Sequence, residues 1–164
     1  MGLFHFMTYK LHLLLCSYKT DIATHILQLS MHNLIVVQIL PDGRQRLELK
    51  RANSWDYSLF NLQGLFKLAN IGQYLGIDLW HYKTPSRSGL QTALDYLLPY
   101  ALKKYSWHYR QIATFSIMNI VYLLCQATLH YPNNRIYIQA YKSMSLGKPV
   151  GTNIDTLLCI CGIR

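Results

Sequence analysis

Between Pro41 and Leu62 three residues stand at spacings that chemistry can use: Arg51, Tyr57 six positions on, and Asn61 four further. An arginine is permanently charged and can grip a carboxylate with two parallel donors. A tyrosine phenol carries one transferable proton, but a reference pKa of about 10 keeps it protonated at neutral pH unless a charge or dipole lowers it. Asn53-Ser54-Trp55-Asp56 reads as a helix start, with Asn53 capping the free amides and Asp56 reaching back. Tyr57 then falls in the first turn, where Arg51 and the positive helix end favour a phenolate and Asp56 opposes it. Tyr57, Asn61 and Gly64 lie at i, i+4 and i+7 and share one face, so Asn61 adds an amide donor and Gly64 leaves room beside them. A core helix shows the same spacing, with Tyr57 half-buried and its hydroxyl bonded, and Gly64 admitting a neighbouring helix. Residue types alone leave both readings open.

Other chemistry is thinner. The histidines His5, His12, His25, His32, His81, His108 and His130 form no HxxxH or HxH pair, and Cys16, Cys125, Cys159 and Cys161 form no CxxC. No metal site and no cofactor are expected. Four cysteines permit bridges in an oxidising compartment, although free thiols are the expectation. Trp55, Trp80 and Trp107 could stack on flat ligands, but large aromatics are more often packing, and only Trp107 with His108 and Tyr109 stands as a candidate platform. There is no Gly-rich phosphate loop, Gly-x-Ser-x-Gly elbow or nucleophilic cysteine signature.

The elements that must hold these residues read as helices. Thr20 reads as an N-cap, and Ala23, Ile26, Leu27, Leu34 and Val37 follow at helical spacing to about Ile39; the β-branched run Ile35-Val36-Val37 lacks the alternation of a strand. Pro41-Asp42-Gly43 is a turn. The helix after Asn53 continues through Leu59, Leu62, Phe66 and Ala69 to a stop at Gly76. Ser88-Gly89-Leu90-Gln91 reads as a capping box for a helix through Leu94 and Leu97, with Pro99 kinking it. Two more helices are expected, from about Tyr109 to His130 and from Asn133 to about Ser143, and the tail from Leu146 shows no pattern.

The 164 residues suffice for one domain and one core, and 51% hydrophobic content argues against disorder. Sixteen Lys and Arg against seven Asp and Glu give a net charge of +9, which suits a polyanionic partner. The cations are scattered, however, so no nucleic-acid partner is expected. The uncharged run Ile112–Leu129 holds Thr114, Ser116, Asn119 and Gln126 and reads as a buried helix rather than a membrane span; no membrane partner is expected. Phe6 where a myristoylation signal has Ser or Thr, and the lack of a basic segment before Leu11–Cys16, argue against lipidation and a signal peptide.

The stretch Pro41-Asp42-Gly43-Arg44-Gln45-Arg46-Leu47-Glu48-Leu49-Lys50-Arg51-Ala52-Asn53-Ser54-Trp55-Asp56-Tyr57-Ser58-Leu59-Phe60-Asn61-Leu62 resembles the central motif of the alginate lyase domain family, and Gly76-Ile77-Asp78-Leu79-Trp80 resembles a second landmark of that family. The similarity runs from near residue 8 to about residue 142. The family motif carries an Arg and a Tyr that map onto Arg51 and Tyr57. Arg46 stands where the family pattern usually has Pro. The family also places an Asn-His pair upstream that this sequence does not contain, so the expectation is a truncated, C-terminal part of the domain.

The resemblance implies an all-α chain forming a partial α/α toroid of antiparallel helix hairpins, with residues 1–145 as the lyase-like domain and 146–164 as an irregular tail. It implies β-elimination on a uronate-containing polysaccharide such as alginate, with Arg51 binding and neutralising the uronate carboxylate and Tyr57 moving the proton. Asn61 is the further substrate-binding candidate. The full-length family member is expected to be secreted or periplasmic, and the oligomeric state is open. The alternative is a catalytically inactive helical fragment or carbohydrate-binding remnant of such a lyase.

Overall fold

The computed structural model describes residues 19–145, apart from the side chains of residues 30–33. The N-terminal segment, Cys16, Cys159, Cys161 and the tail from Leu146 lie outside the described residues. Five α-helices follow in order, α1 (Thr20–Gln38), α2 (Ser54–Tyr74), α3 (Leu90–Ala101), α4 (Met118–His130) and α5 (Arg135–Ser145), with a 3-10 turn at Glu48–Lys50 before α2. There is no strand among the described residues, so the chain is all-α. No helix there is long and apolar enough to cross a membrane.

α2 is the centre, touching α1, the 3-10 turn, α3 and α4. Its buried face, which includes Trp55, Leu59, Leu62, Phe66 and Ala69, repeats at helical spacing and meets Leu90, Leu94 and Leu97 of α3 and Leu123 and Leu124 of α4 in one core. Each large side chain buried this way contributes about 1.5–3 kcal/mol. Gln73 and His130, near the ends of α2 and α4, lie 3.3 Å apart, and Trp55 at the start of α2 bonds to Ser116 just before α4, so these two helices run parallel. α3 runs against them, since Tyr100 near its end meets Trp107 and Trp107 bonds to Ser54 at the start of α2. The linkers 39–53 and 102–117 therefore converge on the end where α2 and α4 begin.

Helix ends follow local chemistry. At Gly76 (φ +72) the Ile77 amide donates to the Gly72 carbonyl and the Gly76 amide to Gln73, a Schellman stop where the sequence placed it. Asn134 caps α5 by accepting from the Ile136 and Tyr137 amides through Oδ1, at 3.1 and 3.2 Å. Elsewhere the expected caps do not form. Thr20 is the first helical residue, after Lys19, and the capping box at Ser88 gives way to Gly89 as N-cap without a side-chain bond. The Ser88 amide is instead taken by the Thr84 hydroxyl at 3.0 Å, inside a tight 84–88 loop. α3 ends two residues beyond Pro99. The helix expected from Tyr109 begins only at Met118, because the backbone of residues 110–113 is committed to the start of α2. Cys125 is disulfide-bonded, against the expectation of free thiols.

The Pro41-Asp42-Gly43 turn sits hard against α3. Gly43 has φ +84, and a Cβ there would collide with the Thr92 carbonyl and stand 2.7 Å from the Tyr96 Cβ. Gly76 also has positive φ, but open space surrounds it. Gly43→Ala is therefore expected to cost about 3 kcal/mol or more, summing left-handed strain and collision, and Gly76→Ala only about 1–2 kcal/mol. Urea midpoints of the two variants check the order, and equal midpoints would contradict the close approach.

Candidate active site

The start of α2 is held by a segment more than fifty residues away. The Ser54 amide and hydroxyl both reach the Arg110 carbonyl at 3.1 and 2.8 Å, and the Ile112 amide donates to the Ala52 carbonyl at 3.1 Å. Gln111 does what the sequence assigned to Asn53. Its Oε1 accepts from the Trp55 amide at 3.1 Å, and its Nε2 donates to the Asp56 carboxylate at 2.8 Å. The Asn53 carbonyl takes the Tyr57 amide at 3.0 Å, but its side chain makes no bond into the helix and accepts instead from the Ala113 amide at 2.9 Å. The physical reason is competition: the pairing of Asn53 with Gln111 turns the Asn53 side chain toward the neighbouring segment.

Arg51 follows the 3-10 turn in an extended conformation, its amide bonded to the Glu48 carbonyl at 3.0 Å. Its guanidinium carbon lies 3.9 Å from the centre of the Tyr57 ring, a cation–π contact. Arg51 is exposed and Tyr57 is 36% exposed, so both are reachable from solvent. Among the described residues the ion pairs are Arg44–Asp42 and His81–Asp78, which leaves Arg51 without a carboxylate within 4 Å. Burial pushes the nearby Glu48 carboxyl up, and the Arg51 charge pulls it back only in part.

Asn61 behaves differently from its expected role. It is 4% exposed, and its Nδ2 donates to Gln45 Oε1 at 2.8 Å while Gln45 Nε2 donates to the Ser58 carbonyl at 3.0 Å. This buried pair braces the 39–53 linker against α2, so Asn61 fixes the platform under Arg51 and Tyr57. Gly64 is partly exposed on the same helix. Gln45 and Gln111 were invisible as functional residues in the sequence, since each acts across 13 or more positions on a partner that no periodicity points to.

The tryptophans divide as packing predicts. Trp55 is buried against Phe115 and Trp107, and Trp80 is buried between Phe66 and His130. Only Trp107 approaches the surface. His81 pairs with Asp78, and no three His, Cys, Asp or Glu among the described residues cluster to hold a metal. A hollow of about 630 Å³ lined by His81, Gln91, His130 and Arg135 opens at the other end of α2, roughly 30 Å away by helix rise.

Comparison with known proteins bears on the family and the fold. The alginate lyase family model matches residues 13–107, more than half of the sequence. The chain belongs to the alginate lyase family. The fold matches the crystal structure of an alginate lyase from Bacteroides ovatus with a TM-score of 0.79 and 25% identity, over 85% of this chain and 37% of that one. The alginate lyase-like chain is thus a partial α/α toroid, spanning little more than a third of its structural relative. Among curated proteins none matches.

Gln111→Ala removes a cap and a carboxylate partner at once and is expected to destabilise by about 1–2 kcal/mol, whereas Asn53→Ala costs less; the opposite order in thermal denaturation would restore Asn53 as the cap. His130, stacked 3.8 Å from Trp80, is pushed down to about 4 by burial, against an ordinary 6.5. Its neutral form is the one the fold accepts, so its contribution is complete above pH 6.5 and is lost as pH falls from 6.5 towards 4. His130→Phe keeps the stack and should flatten the melting temperature across that window relative to the parent; parallel curves would exclude the imidazole.

Proposed function

We propose that this alginate lyase-like chain acts on a uronate-containing polysaccharide such as alginate, by β-elimination at the start of α2. The observation that carries this reading is the exposed Arg51 guanidinium lying over the Tyr57 ring with no carboxylate of its own among the described residues. The proton to be removed sits on the carbon next to a carboxylate, and an ionised carboxylate resists the negative charge that develops. Arg51 offers a fixed cation and paired donors to that group. The same cation lies over the ring face of the phenol that would carry the proton. Tyr57 then takes the carbon-bound proton, the electron pair forms a carbon–carbon double bond as the glycosidic C–O bond breaks, and the phenol returns the proton to the departing oxygen. The balance closes without metal or cofactor.

The substrate is a polymer, so we place its action outside the cytoplasm, in a secreted or periplasmic setting; the disulfide at Cys125 suits an oxidising compartment. A second reading is a carbohydrate-binding remnant without turnover.

Near-ultraviolet absorbance of the unsaturated uronate product separates the readings. Under the lyase reading, Tyr57→Phe lowers turnover by about 100-fold or more with little change in substrate affinity, and Arg51→Ala lowers both. Unchanged turnover in Tyr57→Phe would remove Tyr57 from the mechanism, and binding without any turnover would select the remnant.

A further inference from the structure

We infer that the linker 102–117 carries a second carbohydrate subsite, which holds further uronate units of a chain engaged at Arg51 and Tyr57; the inference rests on that reading of the pair. The linker contains Lys103, Lys104 and Arg110, all exposed, and no Asp or Glu. A polyuronate presents one carboxylate on every sugar, so it needs a succession of cations rather than a single clamp. Sugar rings also need flat apolar faces, and the same linker supplies them. Tyr105 is 66% exposed, and its ring centre is 6.2 Å from that of Tyr100; the exposed His108 lies 6.1 Å from Tyr100 and 4.2 Å from Tyr109. Tyr100 itself is pinned edge-on to Trp107 at 4.9 Å, and Trp107 bonds to Ser54 at the start of α2. These faces are therefore tied to the helix that carries Tyr57.

The backbone at Lys103 is an independent sign. Lys103 sits at φ +56, just past the end of α3, with its amide bonded to the Tyr100 carbonyl and the Lys104 amide bonded to the Pro99 carbonyl. This is the position of a Schellman stop that glycine fills at least cost, as Gly76 does after α2. A lysine held there in left-handed conformation is strained, and strain of this kind concentrates where a side chain is needed for function.

The test uses the full chain with oligouronates of increasing length, titrated by calorimetry, alongside melting temperatures. Lys103→Gly is expected to raise the melting temperature by about 2–4 °C and to weaken binding of long oligomers about fivefold, the loss growing with length. Tyr105→Ala is expected to weaken the same binding by up to about tenfold, and the exposed Lys67→Ala on α2 serves as the charge control. If Lys103→Gly stabilises the chain while it and Tyr105→Ala leave long-oligomer affinity at the parent value, the subsite is overturned and the Arg51–Tyr57 reading stands. Failure of the parent to bind any oligouronate would remove that reading and the subsite together. Equal affinity for a single-stranded polynucleotide of matched charge would overturn the assignment to sugar, because charge alone would then account for binding.

Discussion

The site depends on one piece of non-local pairing, the docking of residues 110–113 on the start of α2. A helix begins with amides that have no partner within it, and a buried amide left so costs about as much as a lost hydrogen bond. Here the Arg110 carbonyl and the Gln111 side chain satisfy the Ser54 and Trp55 amides, and the Ala52 carbonyl takes the Ile112 amide in return. Trp55 seals the joint, buried against Phe115 and Trp107 with its indole nitrogen donating to the Ser116 carbonyl at 2.6 Å. α2 and α4 already share the core, and this joint adds a fixed position for the first turn of α2, and with it Tyr57.

The same joint explains why the cations beside Tyr57 come from linkers rather than helices. Helices α2, α3 and α4 each bury a face in the core, and at their shared end Tyr57 and Phe60 of α2 meet solvent together with side chains from 39–53 and 102–117. Each linker is anchored by buried polar bonds, Gln45 to Asn61 and Ser58 in the first, Ser54 and Gln111 in the second. Such bonds rigidify only when fully satisfied, and these are. The anchoring leaves the cations outside: with Asp42 paired to Arg44 and Asp56 bridged by Gln111, two of the three carboxylates at this end are already engaged.

What the sequence made legible was whatever depends on local periodicity. The face of α2, the Gly76 stop, the Pro41-Asp42-Gly43 turn and the helical state of Ile35-Val36-Val37 all follow from neighbours within a few positions, and all appear in the fold. Where a remote partner competed, local signals failed. Asn53 looked like a cap and pairs with Gln111 instead; Ser88 looked like a cap and lies in the 84–88 loop; residues 109–117 looked helical and are not, with 110–113 bonded to 52–54. Arg51 and Tyr57 were found by family likeness, and the geometry brings them together, but the demotion of Asn61 to a brace required the position of Gln45.

Arg51 stands at the meeting of these constraints. An arginine with a carboxylate partner would be neutralised, and one buried without a partner would cost several kcal/mol. The structure avoids both, because the Tyr57 ring supplies a face that attracts the cation without quenching its charge or occupying its in-plane donors. Glu48, one turn earlier, feels the Arg51 charge, and burial raises its pKa by more than that charge lowers it. The arrangement keeps a full positive charge available at the surface, beside the Tyr57 phenol. A carboxylated ligand arriving there would meet donors already oriented, so little of its binding energy need be spent on ordering the side chain that receives it.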